Sequence, residues 1–174
     1  MKTHPLEKFA FCPSCGSKSW KVNNEKSKRC DECGFVYYAN VSSSVAVFIR
    51  NPEGDLLVCR RKKEPAAGTL DLPGGFVDIG ETASEAVIRE IKEELNLNVT
   101  KMTFFTSLPN DYTYSDMVIN TLDMFFICEV ENFNNMRPDD DVSEAFFMSV
   151  NTISPDDFGL NSIKRGIIAF LKEL

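Results

Sequence analysis

The chain contains no apolar run long enough to cross a membrane, and no apolar signal-peptide core follows its start, MKTHPLEKFAFC. Both absences lead to the expectation of a cytoplasmic protein. Internal repeats and low-complexity tracts are missing too, so 174 residues suit one domain of ordinary size with a small appendage. Histidine is nearly absent. His4 is the only one, in a stretch read as a frayed tail, and no role is assigned to it. Positive charge is scarce and unevenly placed: the net charge is −7, with about +3 on residues 1–40 and about −10 on the rest. An acidic body repels a polyanion, so general nucleic-acid binding is disfavoured. The mildly basic head falls short of a basic patch.

Cysteine is present in pairs. Cys12-Pro-Ser-Cys15-Gly and Cys30-Asp-Glu-Cys33-Gly are two Cys-x2-Cys knuckles that fit a tetrahedral Zn²⁺ site, their fourteen-residue spacer being one short of the usual range. The alternative is two disulfides, which a reducing compartment disfavours. Four sulfur ligands close the coordination sphere, so the expected role is structural. The glycine after each pair permits the turn that aims backbone amides at the thiolates. The segment resembles a zinc ribbon with short strands at 19–22, 29–30 and 35–38, and it would hardly fold without metal. Cys59 and Cys128 lie in strand patterns and read as core thiols.

The densest chemistry lies between Gly75 and Leu97, GFVDIGETASEAVIREIKEELNL. Thr82-Ala-Ser-Glu85 is a capping box, so a helix should start near residue 82, and Asn96 can end it in the left-handed conformation. On a helical wheel Glu90 and Glu94 border the buried side beside Ala83 and Ala86. Val87, Ile88, Ile91 and Leu95 fill the neighbouring arc, while Glu85, Lys92 and Asn96 point away. A Glu-rich run is usually a solvated face, but this facing argues otherwise. Like charges at i, i+4 near a core need a cation, and a hard divalent ion held by oxygen ligands, Mg²⁺ or Mn²⁺, is the natural one.

Gly75, five residues, Glu81, seven residues, then Arg89-Glu90-Ile91-Lys92-Glu93-Glu94-Leu95-Asn96-Leu97 resembles the Nudix box, with Asn96 in place of its last glycine. The resemblance implies an α/β/α sandwich with a mixed sheet over residues 40–174, preceded by the ribbon at 1–39. It also implies metal-dependent hydrolysis of a pyrophosphate. Glu90 and Glu94 resemble the principal metal ligands. Glu93 is a further ligand or the base, and Arg89 and Glu81 form the ion pair that fixes the carboxylates. The base sometimes comes from a later loop in this family, which makes Glu144 the second candidate. The glycines at 74 and 75 allow close approach of the backbone, opening a carbonyl near Gly75 to the metal.

Around that stretch, residues 45–50 and 55–61 read as a hairpin joined by Asn51-Pro-Glu-Gly54. Arg60, Arg61, Lys62 and Lys63 follow; they are either a solvated strand end or, as in Nudix proteins, close to the diphosphate, with Arg60 the residue singled out. Residues 99–107 and 117–130 read as strands, the second central, with a polar aromatic loop at 109–116 between them. A strand at 145–150 and a final helix capped by Asn161 or Ser162 complete an order β, β, β, α, β, β, β, α. From periodicity alone this is mixed α/β.

A zinc ribbon ahead of a Nudix domain is similar to NADH pyrophosphatases and to a broader group acting on ADP-ribose, FAD or similar dinucleotides. The NADH-selective motif Ser-Gln-Pro-Trp is here Ser107-Leu108-Pro109-Asn110, so Gln and Trp are absent. Tyr112 and Tyr114 either stack a base or ribose or simply pack their loop. The expected partner is therefore a small-molecule dinucleotide or nucleoside diphosphate derivative, with a homodimer through the ribbon as a further possibility. Two other readings compete. One is a non-catalytic sensor, though such proteins usually lose box carboxylates and this chain keeps them. The other is a zinc-ribbon nucleic-acid or protein-binding module, which the acidic body opposes.

Overall fold

The computed structural model describes residues 4–174. Near the N-terminus lies an antiparallel meander of β1 (Trp20–Asn24), β2 (Ser27–Cys30) and β3 (Val36–Tyr38), with Cys12 and Cys15 in the turn ahead of β1, Cys30 at the end of β2 and Cys33 in the turn that follows it. His4 is not frayed, contrary to the sequence expectation. Its ring nitrogens lie 2.9 Å from the Asn24 carbonyl and 3.1 Å from the Leu6 amide, beside a Leu6 that is itself buried.

The body contains β4 (Ser42–Ile49), β5 (Leu56–Arg61), β6 (Leu70–Asp71), α1 (Ala83–Leu95), β7 (Val99–Tyr114), β8 (Met117–Val130), β9 (Val142–Met148) and α2 (Asn161–Leu171). That is the order expected from the sequence. The period-2 rule explains the layers. Val45, Val47 and Ile49 of β4, with Leu57 and Cys59 of β5, pack on Val87, Ile91 and Leu95 of α1. Ala46 and Phe48, with Leu56 and Val58, pack on Ile163, Ile167 and Phe170 of α2. Two helices therefore cover opposite faces of the strands, giving the expected α/β/α sandwich. No described helix is long and apolar enough to cross a membrane.

β4 and β5 are not a hairpin. The turn at Asn51 forms, but the strands share one bridge, Arg50 to Leu56. β4 runs parallel to the central β8 in the sheet β4-β8-β7, whereas β5 lies between β6 and β9. Continuous apolar runs such as VAVFI and LLVC bury both faces and can each join a different sheet, β4 at one end of its own and β5 in the middle of its own. The expected loop at 109–116 is also strand: β7 and β8 pair from Val99 to Tyr114, and only Ser115 and Asp116, both at positive φ, make the turn.

α1 begins and ends as its sequence requires. Thr82 accepts from the Glu85 amide while Glu85 reaches back to the Thr82 amide, and Asn96 closes the helix at φ 55°. Ile88 departs from the wheel and is solvent-exposed. Thr82→Ala removes one half of the box and is expected to cost about 1 kcal/mol of stability, read by urea denaturation. The N-terminus of α2 is different: Leu160 occupies the cap with no side-chain bond, because the Ser162 hydroxyl is spent on buried Asp123.

Candidate active site

Arg89 is the hub from which the site can be assembled. Its Nε and Nη2 donate to the two oxygens of Glu81 at 2.9 Å each. Its Nη1 donates to Glu90 at 2.8 Å and to Glu93 at 3.1 Å, and Nη2 also donates to the Phe76 carbonyl. A planar fork with five donors suits this division among three carboxylates. Glu81 is held below the ordinary carboxylate value by Arg89 and the Asp78 amide. Glu90, at 9 % exposure, is instead raised by burial, against the pull of Arg89.

Among the described residues Glu94 makes no ion pair. It is 6 % exposed, and Oε2 accepts only the Gly74 amide, at 2.9 Å. Burial lifts its pKa well above the usual range, with Glu90 and Asp71 adding to the effect. Glu93 is the open member, its side chain half exposed. Counting Glu81, Glu90, Glu93 and Glu94 against Arg89 leaves about three uncompensated negative charges at one helix edge. Oxygen donors, excess negative charge and costly burial together fit a hard divalent cation. No three carboxylates among the described residues gather as tightly as the four thiols do, as like charges without a cation should not.

Gly75 is required here by space. A Cβ on it would lie 2.4 Å from Glu90 Oε1. Its carbonyl accepts the Val45 amide at 2.8 Å, which uses one of two lone pairs. Gly75→Ala must push the Glu90 carboxylate aside, away from Arg89. Mn²⁺ affinity is expected to fall at least about tenfold, read by calorimetric titration.

These groups open onto a cleft of about 660 Å³. Its far wall holds residues that the sequence did not single out. Arg61, not Arg60, turns to the floor, 2.5 Å from buried Asp71 and 3.4 Å from the Tyr112 hydroxyl. Asp71 stays above the ordinary carboxylate range because burial outweighs Arg61. Asp123 accepts the hydroxyls of Ser44, Thr121 and Ser162, tying β4, β8 and α2 together. Asp140 and Asp141 also line the cleft, and Lys63 pairs with Asp141. The β5–β9 register shifts between Arg60 and Arg61, and both arginines line the cleft.

Among the predicted residues, Gly75, Arg89, Glu90, Glu93 and Glu94 meet at the cleft, with Arg60, Tyr112 and Tyr114 on its lining. Tyr112 meets Phe76 edge-on, their centroids 5.4 Å apart. Arg60 donates to Glu144 at 2.9 Å and to the Gly68 carbonyl. Glu144 itself is on β9, outside the lining residues.

The four knuckle cysteines form a separate centre. All their sulfur atoms lie within 4.8 Å of one another, with Cys12–Cys33 and Cys15–Cys30 at 3.7 Å. A tetrahedron with Zn–S bonds of about 2.3 Å has an edge of about 3.8 Å, so the thiols fit zinc. The Cys33 amide, then that of Glu32, lowers the Cys30 thiol to about 7, while Cys15, against the pull of the Ser17 amide, is pushed up to about 12 by its thiol neighbours, Cys33 first, the split expected when four close thiols without a metal share their protons.

The NUDIX domain model matches residues 41–170. The NAD-capped RNA hydrolase NudC of Vibrio atlanticus (strain LGP32) is 27 % identical over 166 residues, covering 95 % of this chain and 58 % of that protein. NudC of Haemophilus influenzae (strain PittEE) is 28 % identical over 172 residues, covering 98 % and 63 %. The chain thus spans less than two thirds of the length of these curated relatives. Among solved structures, a NUDIX hydrolase from Nitrosomonas europaea superposes with a TM-score of 0.71 at 20 % identity, over 94 % of this chain and 90 % of that one. A bifunctional NMN adenylyltransferase/ADP ribose pyrophosphatase from Francisella tularensis gives 0.58 at 20 %, over 79 % and 42 %.

Proposed function

The chain belongs to the NUDIX family, and from that premise we propose that it hydrolyses the pyrophosphate bond of a nucleoside diphosphate joined to a second group. ADP-ribose, NAD(H), FAD and similar dinucleotides are the substrate class, and a nucleoside monophosphate is one product. The observation that carries this reading is the convergence of Glu90, Glu93 and Glu94 on one cleft, under a single guanidinium that cannot neutralise them all. Relatives named for NAD-capped RNA hydrolysis support the dinucleotide class.

Bound Mg²⁺ or Mn²⁺ would offset the diphosphate charge, acidify a coordinated water and stabilise the leaving phosphate. Glu90 and Glu94 would hold the cation, with the free lone pair of the Gly75 carbonyl as a further ligand. Arg89, clamped by Glu81, fixes the direction of Glu90 and Glu93. Glu93, the open carboxylate, orients the attacking water and accepts its proton, or completes the metal shell. Glu144 is the second candidate for the base. Its partner Arg60 would have to release it to face a diphosphate. Tyr112 and Tyr114 form the wall against which a base or ribose can lie.

Zinc in the ribbon is proposed as structural, because four thiolates leave no open position. We place the protein in the cytoplasm, where its six free cysteines stay reduced. A homodimer through the ribbon is a further expectation, read by sedimentation.

The test is a Mg²⁺-dependent hydrolysis screen with products identified. It covers NADH, NAD⁺, ADP-ribose, FAD, dinucleoside polyphosphates, nucleotide sugars and NAD-capped RNA. Cleavage of at least one dinucleotide to a monophosphate is expected. An acidic body implies that an RNA tail adds little affinity. Metal-independent turnover, or none on the whole panel, would reject the reading.

A further inference from the structure

Asn110 stands out in the cleft for what it lacks. It is 6 % exposed, yet its side chain makes no hydrogen bond with any described residue. Its backbone is satisfied in the β7–β8 ladder opposite Thr121. The carboxamide is the part left over. Neighbouring polar groups are already committed: Thr121 donates to Asp123 at 2.5 Å, and Tyr112 accepts from Arg61. Asn110 lines the main cleft, and it also lines a side pocket of about 440 Å³ that runs toward Leu160 and Asn161. Neither carboxamide atom is sealed off, so a group within these cavities can reach it.

An amide without a protein partner that is open to a cleft can exchange cleft water for a ligand group. Its chemistry says what fits. A carboxamide presents one donor and one acceptor in a single plane, and it is matched by another planar edge that carries an N–H beside an acceptor. An adenine edge has this form, and so does a carboxamide such as that of a nicotinamide. Isolated hydroxyls or phosphates do not use both halves. The alternation of β7 puts Leu108, Asn110 and Tyr112 on one face, so the amide and the Tyr112 ring are next neighbours along the cleft wall.

We propose that Asn110 is a specificity-determining residue which pairs, through both halves of its carboxamide, with a planar donor–acceptor edge on one end of the substrate. This rests on the dinucleotide reading for the identity of the ligand, but its test does not need turnover. The metal-loaded full chain is titrated calorimetrically with two matched pairs. The first is AMP against purine riboside 5′-monophosphate, which lacks the amino group. The second is NMN against nicotinic acid mononucleotide, which replaces the carboxamide by a carboxylate.

At least about tenfold discrimination is expected in one pair, and that pair identifies the source of the edge. The discrimination should fall to within about twofold in both Asn110→Leu and Asn110→Ala. The side-chain amide resonances of Asn110 in the wild-type protein give a readout that needs no variant: they should shift with the favoured ligand and stay in place with its analogue. No discrimination in either pair, discrimination kept in both variants, or unmoved resonances would overturn the inference, the last two meaning that cleft water alone satisfies the amide. Failure of the hydrolysis screen with discrimination intact would remove the proposed reaction and leave Asn110 as a ligand-reading residue.

Discussion

Glu94→Gln is expected to lower Mg²⁺-dependent hydrolysis by about three orders of magnitude and at the same time to raise the stability of the metal-free protein. Both effects come from one property of the site. Glu94 is a buried carboxylate whose only hydrogen-bond partner among the described residues is the Gly74 amide. Glutamine has the same size and its carbonyl oxygen can still accept that N–H, so the fold loses no contact. What disappears is a negative charge held near Glu90, Asp71 and Asp141. The cation loses a ligand, while the empty site loses repulsion and a desolvation penalty.

The sign of the pH dependence separates this from a general defect. Burial raises the folded-state pKa of Glu94 above its ordinary value of 4.5, so the native state holds the proton more tightly than the unfolded chain. The stability linked to that proton is fully present below the unfolded pKa. It is lost as pH rises from about 4.5 through the raised folded value, and is flat beyond it. In EDTA the wild type should therefore lose melting temperature as pH rises above about 4.5, and Glu94→Gln should lose less. Glu90 and Asp71 are raised in the same way, so the difference between the two proteins is the quantity to read. Glu93→Gln, at a half-exposed position, should lose turnover with little change in stability. Retained Mg²⁺-dependent hydrolysis in both variants would sink the assignment of the carboxylates.

What could be read from the chain ahead of the structure follows from how local each cause is. The α1 helix was legible at both ends, since Thr82, Glu85 and Asn96 act within one turn of themselves. The facing of Glu90 and Glu94 was legible for the same reason. Where the partner lies far along the chain, the reading failed. Ser162 looked like a cap, but Asp123, 39 residues away, takes its hydroxyl. Arg60 was singled out among the basic residues at 60–63 and lines the cleft, but the ion pair of Arg61 with Asp71 was not legible. The hairpin expected at Asn51 failed because VAVFI and LLVC satisfy two sheets as well as one. The β7–β8 turn was hidden because Ser115-Asp116 lacks the glycine that usually marks it. Asn110 was marked only as the residue standing where the NADH-selective motif has Trp; that its amide is unpaired could be recognised only once its surroundings were known.

Cys30→Ser is expected to unfold the ribbon while the body remains folded. Among the described residues the buried cluster of the ribbon is Cys12, Trp20 and Cys30, so two of its three members are proposed zinc ligands. One indole cannot order some forty residues, each of which gives up about 1–2 kcal/mol of backbone entropy. Structural zinc supplies an apparent 10–16 kcal/mol or so in comparable small domains, and it becomes the main reason for order here. The body has two large clusters of its own, one under each helix. Trp20 is the only tryptophan in the chain and is 6 % exposed, so its emission reports the ribbon and nothing else. Zinc should fall from one ion per chain to none, and Trp20 emission should shift to that of a solvated indole. The main calorimetric transition should stay in place. Chelation of the wild type should reproduce the shift, and zinc should reverse it. Emission that is unchanged after the metal is stripped would mean that the strands hold themselves, and that the thiols are close for some other reason.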